Sequence, residues 1–467
     1  MKKLLVIVLS ASIAGCATTS PVLQPQLAAP AAWNEAPARG AAALSADWWT
    51  AFGSAELHAL VEQALAGSPD LAIAAERVRQ AESQVRAAGA SLFPSVDLGA
   101  SSSARRTRHE DTGRFDSESS GTTLSASYEL DLWGANRAGV RGAEASLQAT
   151  TFDRDAVQLT LVATVASAYF EVLSLRGRIA VARENLGLAE RVLSLVQVRA
   201  REGAVSPLDL ARQEAAVLSQ RAAVVSLEQQ ERQVLTALAV LTGRLPEGFQ
   251  VEAQGLSDLA VPAIAPGLPA DLLVRRPDLA SAEAQLVAAN ADLAAARAAL
   301  LPSIQLTGSA GVASGALLNF LGGPTTTVAL AASALQPIFD GGRRRAGVAI
   351  AESRERELVE RYRAAILAAF GDVETALAAA SRLREREALQ VQVEARAREA
   401  LRLAEVRYRE GADDLLSVLD AQRTLFDAQQ QLALVRLDRL DAAVSLFKAL
   451  GGGWQARTDL AARSTAE

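Results

Sequence analysis

The side chains able to do bond chemistry are few. Cys16 is the only cysteine, His58 and His109 are the only histidines, and methionine occurs once in 467 residues. A lone thiol cannot close an intrachain disulfide, and no Cys/His spacing fits a zinc site. No glycine-rich phosphate loop opens a helix. Aspartate and glutamate are plentiful, so these absences remove the commonest chemistries without excluding an enzyme. The carboxylates that stand out lie near two glycines, Gly203 and Gly411. Asp209 ends Ser206-Pro207-Leu208-Asp209, which has the form of a helix start: a serine cap, proline at the first helical position and an acid at the third. Asp413 and Asp414 follow Gly411. Asp420 closes the otherwise apolar Leu415-Leu416-Ser417-Val418-Leu419, where a charge is costly unless it faces water.

The composition is 50% hydrophobic but 4% aromatic, with Ala, Leu and Val dominant, which favours close helix packing over a bulky core. The net charge is −6 and the basic residues are scattered, so no nucleic-acid face is visible. Met1-Lys2-Lys3, an apolar run from Leu4 to Leu9 and small residues up to Gly15 make a secretory signal, residues 1–15. Ile13-Ala14-Gly15-Cys16 has the form of a bacterial lipobox, in which the cysteine becomes the lipidated first residue of the mature chain. The bland alternative is an ordinary signal peptide with a chance cysteine. Ala17 stands where an Asp would favour inner-membrane retention, so the outer membrane is expected. The lipid on Cys16 is the one prosthetic group expected; no metal is.

The elements around these residues are duplicated. Pro69-Asp70-Leu71 returns as Pro277-Asp278-Leu279, Pro94-Ser95-Val96 as Pro302-Ser303-Ile304, and Arg137-Ala138-Gly139-Val140 as Arg345-Ala346-Gly347-Val348; Gly134, Gly203 and Gly243 return as Gly342, Gly411 and Gly451, always 208 residues on. Each unit (55–243 and 269–451) predicts a helical stretch (about 55–91 and 269–300), two strands (near 93–104 and 119–132, then 302–313 and 325–339), a very long helix (about 139–202 and 343–410), a glycine tip and a return helix. Residues 16–54, 244–268 and 452–467 lie outside the repeats. Leu358, Tyr362, Ile366, Phe370, Val373, Leu377, Ala380 and Leu383 make one apolar stripe at helical spacing. A helix of roughly 64 residues is about 95 Å long, more than a globular core needs.

The strands alternate. Thr122, Leu124, Ala126, Tyr128, Leu130 and Leu132 oppose Thr123, Ser125, Ser127, Glu129 and Asp131; Val96, Leu98 and Ala100, and Ile304, Leu306 and Gly308, do likewise, while 325–337 alternates less cleanly. Such segments fit outer-membrane strands, and on periodicity alone a small soluble sheet fits as well; the lipobox decides for the membrane. Phe93, Trp133 and Phe339 fall at strand ends, where an aromatic girdle lies. Four strands cannot close a barrel, and open edges in lipid leave backbone groups unpaired, so strands in the membrane require an oligomer.

With these motifs in view, the chain resembles the TolC-like outer membrane efflux family, and within it the lipoproteins of tripartite pumps. Asp131-Leu132-Trp133-Gly134, Gln336-Pro337-Ile338-Phe339-Asp340-Gly341-Gly342 and Tyr408-Arg409-Glu410-Gly411 followed by Leu419-Asp420-Ala421-Gln422-Arg423 carry the resemblance. It implies a mainly α fold with a membrane β-barrel portion: a homotrimer whose twelve strands form one barrel, continuous with a periplasmic α-helical coiled-coil barrel. It implies an inner-membrane RND-type pump and a periplasmic adaptor (membrane fusion protein) as partners, and passive export of small molecules. The rivals are a channel for protein secretion and a coiled-coil adaptor without a pore.

In that family the periplasmic end closes like an iris. By motif position Asp209, Tyr408 and Asp420 match tip residues, with Asp420 forming a ring whose crowded carboxylates attract cations. Asp209 stays open between cap and gate, and Tyr408 between gate and core packing. The chain departs from the pattern at Asp413 and Asp414, where some members have a basic latch, and at Ser417, where some have a second ring acid. Arg212 and Arg423 are candidate counter-charges. Arg343-Arg344-Arg345 reads as interfacial snorkelling or a basic collar.

Overall fold

The computed structural model describes residues 45–109, 113–315 and 324–455, together with 23, 25, 27 and 30–35. The signal segment 1–15, Cys16 and residues 456–467 lie outside the described residues. After a 3-10 turn at Trp48–Phe52, the elements in chain order are α1 (Ala55–Gly67), α2 (Pro69–Ala90), β1 (Ser95–His109), β2 (Gly113–Glu129), α3 (Ala135–Arg201), α4 (Pro207–Leu241), α5 (Leu272–Arg275), α6 (Pro277–Ala298), β3 (Ser303–Ser314), β4 (Thr325–Leu335), α7 (Arg343–Arg409) and α8 (Leu415–Ala449).

The helical stretch expected over 55–91 is two helices, because Ser68 precedes Pro69 and takes an extended conformation (φ −66°, ψ 123°). Arg276 before Pro277 does the same (φ −108°, ψ 123°). The two long helices have 67 residues each, so each is about 100 Å long. Every member of the stripe from Leu358 to Leu383 is buried or half-buried. Each long helix contains a window apolar enough by composition to cross a membrane. A bilayer, however, needs only about 20 residues, and the chain's own packing buries half of that window in α3.

The chain divides into two compact units. The unit formed by Leu27–Ala75, Phe152–Ala280 and Ala364–Glu467 has an aromatic core. Trp48 stacks on Phe447 with ring centres 4.9 Å apart, and Phe52 meets Phe170 at the same distance. The segment between α4 and α5 is stitched to the helices by two charged groups. Arg176 donates to Glu231 and to the carbonyls of Val251 and Ala253, and Glu56 accepts from the Ala253 amide and the Tyr169 hydroxyl. Burial, with the Glu56 carboxylate adding to it, pushes the Tyr169 phenol up to about 12. The glycines ending the return helices serve a second purpose beyond capping. A Cβ at Gly243 would collide with the Gly67 carbonyl, and one at Gly451 with the Arg275 carbonyl. Both pairs are related by the 208-residue offset, so the repeats share this close backbone approach.

The other unit, built from Glu76–Thr151 and Ser281–Arg363, contains the sheet. Its order is β1-β2-β3-β4, all antiparallel. β1 and β2 run further than the alternation suggested, pairing out to His109 opposite Gly113. The apolar pattern stops at Arg105, but backbone pairing does not depend on it.

Candidate functional site

Residues directly opposite one another in an antiparallel pair share a face. The register therefore places Val96, Ala126, Gly308 and Leu330 on one face, and with them Leu98, Leu124, Ala310 and Val328. Leu98 is 73% exposed and Leu330 88%, so this apolar face has no cover among the described residues. The opposite face is small and hydroxylated: Ser101, Thr123, Ser125, Thr307, Ser309 and Thr327, with Asp97 as a charged member. β4 alternated poorly because alanines (Ala329, Ala331) take its positions on the hydroxylated face. The outer edges of β1 and β4 have no partner strand among the described residues. Monomeric soluble proteins rarely leave so continuous an apolar surface bare.

The aromatic residues at the strand ends differ among themselves. Phe93 and Phe339 are exposed, whereas the Trp133 indole is half-buried and donates to the Pro302 carbonyl at 2.6 Å. Trp133 is thus a tie between the repeats as well as an end-of-strand aromatic. Asp131 and Asp340 hold the starts of the long helices. Asp131 accepts from the Asn136 and Arg137 amides, and Asp340 from those of Gly342 and Arg344. Sequence reasoning used Asp340 as a motif letter and Asp131 as a motif letter and a polar strand position; an Asp a few residues ahead of a long helical run is a capping signal that could have found them. Of the three arginines opening α7, Arg344 reaches the Ala299 carbonyl, and Arg343 and Arg345 are exposed.

The tips put the other candidates in place. Ser206 and Asp209 form a reciprocal capping box: the Ser206 hydroxyl accepts from the Asp209 amide at 3.2 Å and the Asp209 carboxylate from the Ser206 amide at 3.3 Å. In the second repeat the residue types are exchanged. Asp414 caps α8, accepting from the Ser417 amide at 3.1 Å. Asp413 accepts from the Ser417 hydroxyl at 3.0 Å and from Arg407 at 3.2 Å. The Ser417 hydroxyl and the Asp414 amide, helped by Arg407, hold the Asp413 carboxyl below the usual carboxylate range. Asp209, Asp413 and Asp414 therefore all have local structural work.

Tyr408 is buried in a cluster with Val196, Leu401, Leu415, Val418 and Leu425. The Arg199 guanidinium lies 4.6 Å from its ring centre and also donates to the Tyr408 and Arg409 carbonyls that end α7. Sequence reasoning missed Arg199; a basic residue in a helix's last turn was the available signal. Asp420 and Arg212 are both exposed, with no ion-pair partner among the described residues. Arg423 lies 3.9 Å from Asp427 on its own helix, and both are exposed. Among the described residues no three His, Cys, Asp or Glu side chains are grouped to hold a metal.

A duplicated chain with a bare apolar sheet, open strand edges and paired helices of 67 and 35 residues is built like one subunit of an envelope channel. Comparison with known proteins gives the family. The model of the outer membrane efflux protein family matches residues 60–244 and again 268–452, two segments displaced by the repeat offset, and the chain belongs to that family. It is similar to the pyoverdine export outer membrane protein OpmQ of Pseudomonas putida, 42% identical over 96% of this chain and 97% of that one. The OpmQ of Pseudomonas aeruginosa is 41% identical over 97% and 98%. Among solved structures, the outer-membrane channel OprN superposes with a TM-score of 0.83 at 28% identity, over 93% of this chain and all of that one. The chain thus has the fold of the TolC-like channels and is an outer membrane efflux protein.

Proposed function

We propose that three copies of this chain join their sheets into one closed barrel, through which small molecules leave the cell passively. The bare apolar face with two unpaired edges carries this reading, because lipid tolerates neither an open edge nor a buried hydroxylated face on the outside. Closing the sheets edge to edge puts the leucines and valines in hydrocarbon and the serines and threonines around water. With no nucleotide motif, the driving energy comes from an inner-membrane pump reached through a periplasmic adaptor, and a lipid on Cys16 adds to the anchoring. The similarity to OpmQ makes iron-chelating siderophores of the pyoverdine kind the first candidate cargo. Deleting the gene is expected to trap siderophore in the periplasm and raise sensitivity to small toxic compounds while leaving secreted proteins unchanged. Loss of secreted proteins instead would favour the protein-secretion reading.

The gate of this reading lies at the tips. Arg212 and Asp420 occupy equivalent positions in the two repeats, 208 residues apart. Around three copies they alternate, so the ring is mixed in sign and holds the coils together, with Arg423 flanking it. Asp209, Asp413, Asp414 and Tyr408 keep the tips rigid enough to close. Arg212→Glu makes the ring wholly acidic and is expected to raise channel opening in planar bilayers, an effect that fades near 1 M salt, where the Debye length is about 3 Å. Adding Asp420→Arg restores the alternation and the quiet channel. No change in either variant would remove these residues from the gate while leaving the pore itself intact.

A further inference from the structure

The β1–β2 hairpin outruns the rest of the sheet. β3 accompanies β2 only between Ser120 and Glu129, whereas β1 and β2 pair on to His109 and Gly113. Along this extension the face that carries Val96, Leu98 and Leu124 continues through Ala104 opposite Glu118, Arg106 opposite Asp116, and Arg108 opposite Arg114. The charges along it are uneven. Arg106 takes Asp116 through two contacts, at 2.9 and 3.2 Å, and Arg114 reaches the same carboxylate at 3.4 Å. Arg108 has no ion pair among the described residues and directly faces Arg114. Like charges opposed across a strand pair are destabilising, and among the described residues no carboxylate pairs with Arg108. Glu118 lies four residue pairs nearer the sheet and forms no ion pair with Arg108.

Height selects the anion. From Val96 to Arg106 the strand climbs about 33 Å along its own axis, which at a tilt near 40° is about 25 Å, the height of an outer-membrane apolar band. The helices join the sheet at its other end, so this end points out of the cell. The arginines therefore leave hydrocarbon at the level of the outer-leaflet headgroups, on the lipid side of the wall.

We propose that Arg108 and Arg114, with Arg106 beside them, bind the phosphate of a phosphorylated glycolipid in the outer leaflet. Guanidinium forks suit phosphate oxygens in pairs, and a phosphate placed between the two arginines relieves their repulsion. The inference rests on the reading of the sheet as membrane wall.

The test uses full-length protein, purified in detergent and stripped of lipid, titrated with bisphosphorylated lipid A, with the same lipid after enzymatic dephosphorylation, and with inorganic phosphate; native mass spectrometry reads the adducts. The wild-type protein is expected to bind the phosphorylated lipid at least about ten-fold more tightly than the dephosphorylated one. Arg108→Gln with Arg114→Gln is expected to abolish that difference, and Arg108→Lys with Arg114→Lys to keep part of it. Equal binding of the two lipids by the wild type overturns the proposal even if the variants fail to assemble. Full competition by inorganic phosphate overturns the lipid assignment in favour of a free-anion site. Unchanged bilayer conductance of the glutamine variant keeps this outcome separate from the channel reading.

Discussion

Ser206 with Asp209, and Asp414 with Ser417, meet the same need with exchanged residues. Each caps the return helix after a glycine tip. Ser206→Ala or Asp414→Ala is expected to cost about 1 kcal/mol of local stability, seen as faster hydrogen exchange in the first turn of α4 or α8 with little change elsewhere. The first cap was legible because serine, proline and an acid stand at fixed spacing; the second was not, because Asp413 and Asp414 are adjacent and either could cap. Tyr408 stayed undecided in the sequence for a similar reason, and the structure buries it beneath Arg199. Asp441 was invisible, since Ser167 and Glu171, which act on it, come from α3, far away in the chain. Burial pushes its carboxyl to about 6, with Glu171 and Asp438 adding to the rise and the Ser167 hydroxyl opposing it. A folded pKa above the ordinary 3.8 means that this group's cost to stability is absent below about 3.8, grows as pH rises from there to about 6, and is fully present above 6. Asp441→Asn is therefore expected to stabilise the protein by about 2–3 kcal/mol at pH 8 and by little at pH 4, measured as a shift in Tm.

At the scale of elements, the tip glycines and the end glycines separate cleanly. A Cβ at Gly203 or Gly411 meets nothing nearby, so alanine there costs only the strain of φ +72°, about 1–2 kcal/mol. At Gly243 or Gly451 the Cβ meets backbone as well, and the same substitution is expected to lower Tm by several times as much. Sequence spacing marked all four as landmarks without telling these two classes apart, because the close approach to Gly67 or Arg275 is tertiary. The strands were legible where hydrophobicity alternates and not where charge takes over, hence the early expected end of β1. The two faces can be tested against each other. Leu330→Arg, on the apolar face, is expected to cost about 2–4 kcal/mol of assembly in membranes, read as loss of heat-resistant oligomer. Ser309→Arg, on the hydroxylated face, should leave the oligomer intact and shift ion selectivity.

For the whole molecule, duplication, strand alternation and helix length were written in the sequence because each is a pattern along the chain. The number of copies was not, because four strands with open edges require partners without counting them. The unpaired edges and the bare apolar face resolve together when copies close a wall, and the proposed alternation of Arg212 with Asp420 belongs to the same arrangement. Native mass spectrometry of the detergent-extracted mature protein tests this most directly. Three chains held together through mild activation, each with the added mass of lipid on its first residue, is the expected result. A stable single chain that keeps its sheet in detergent would contradict the account.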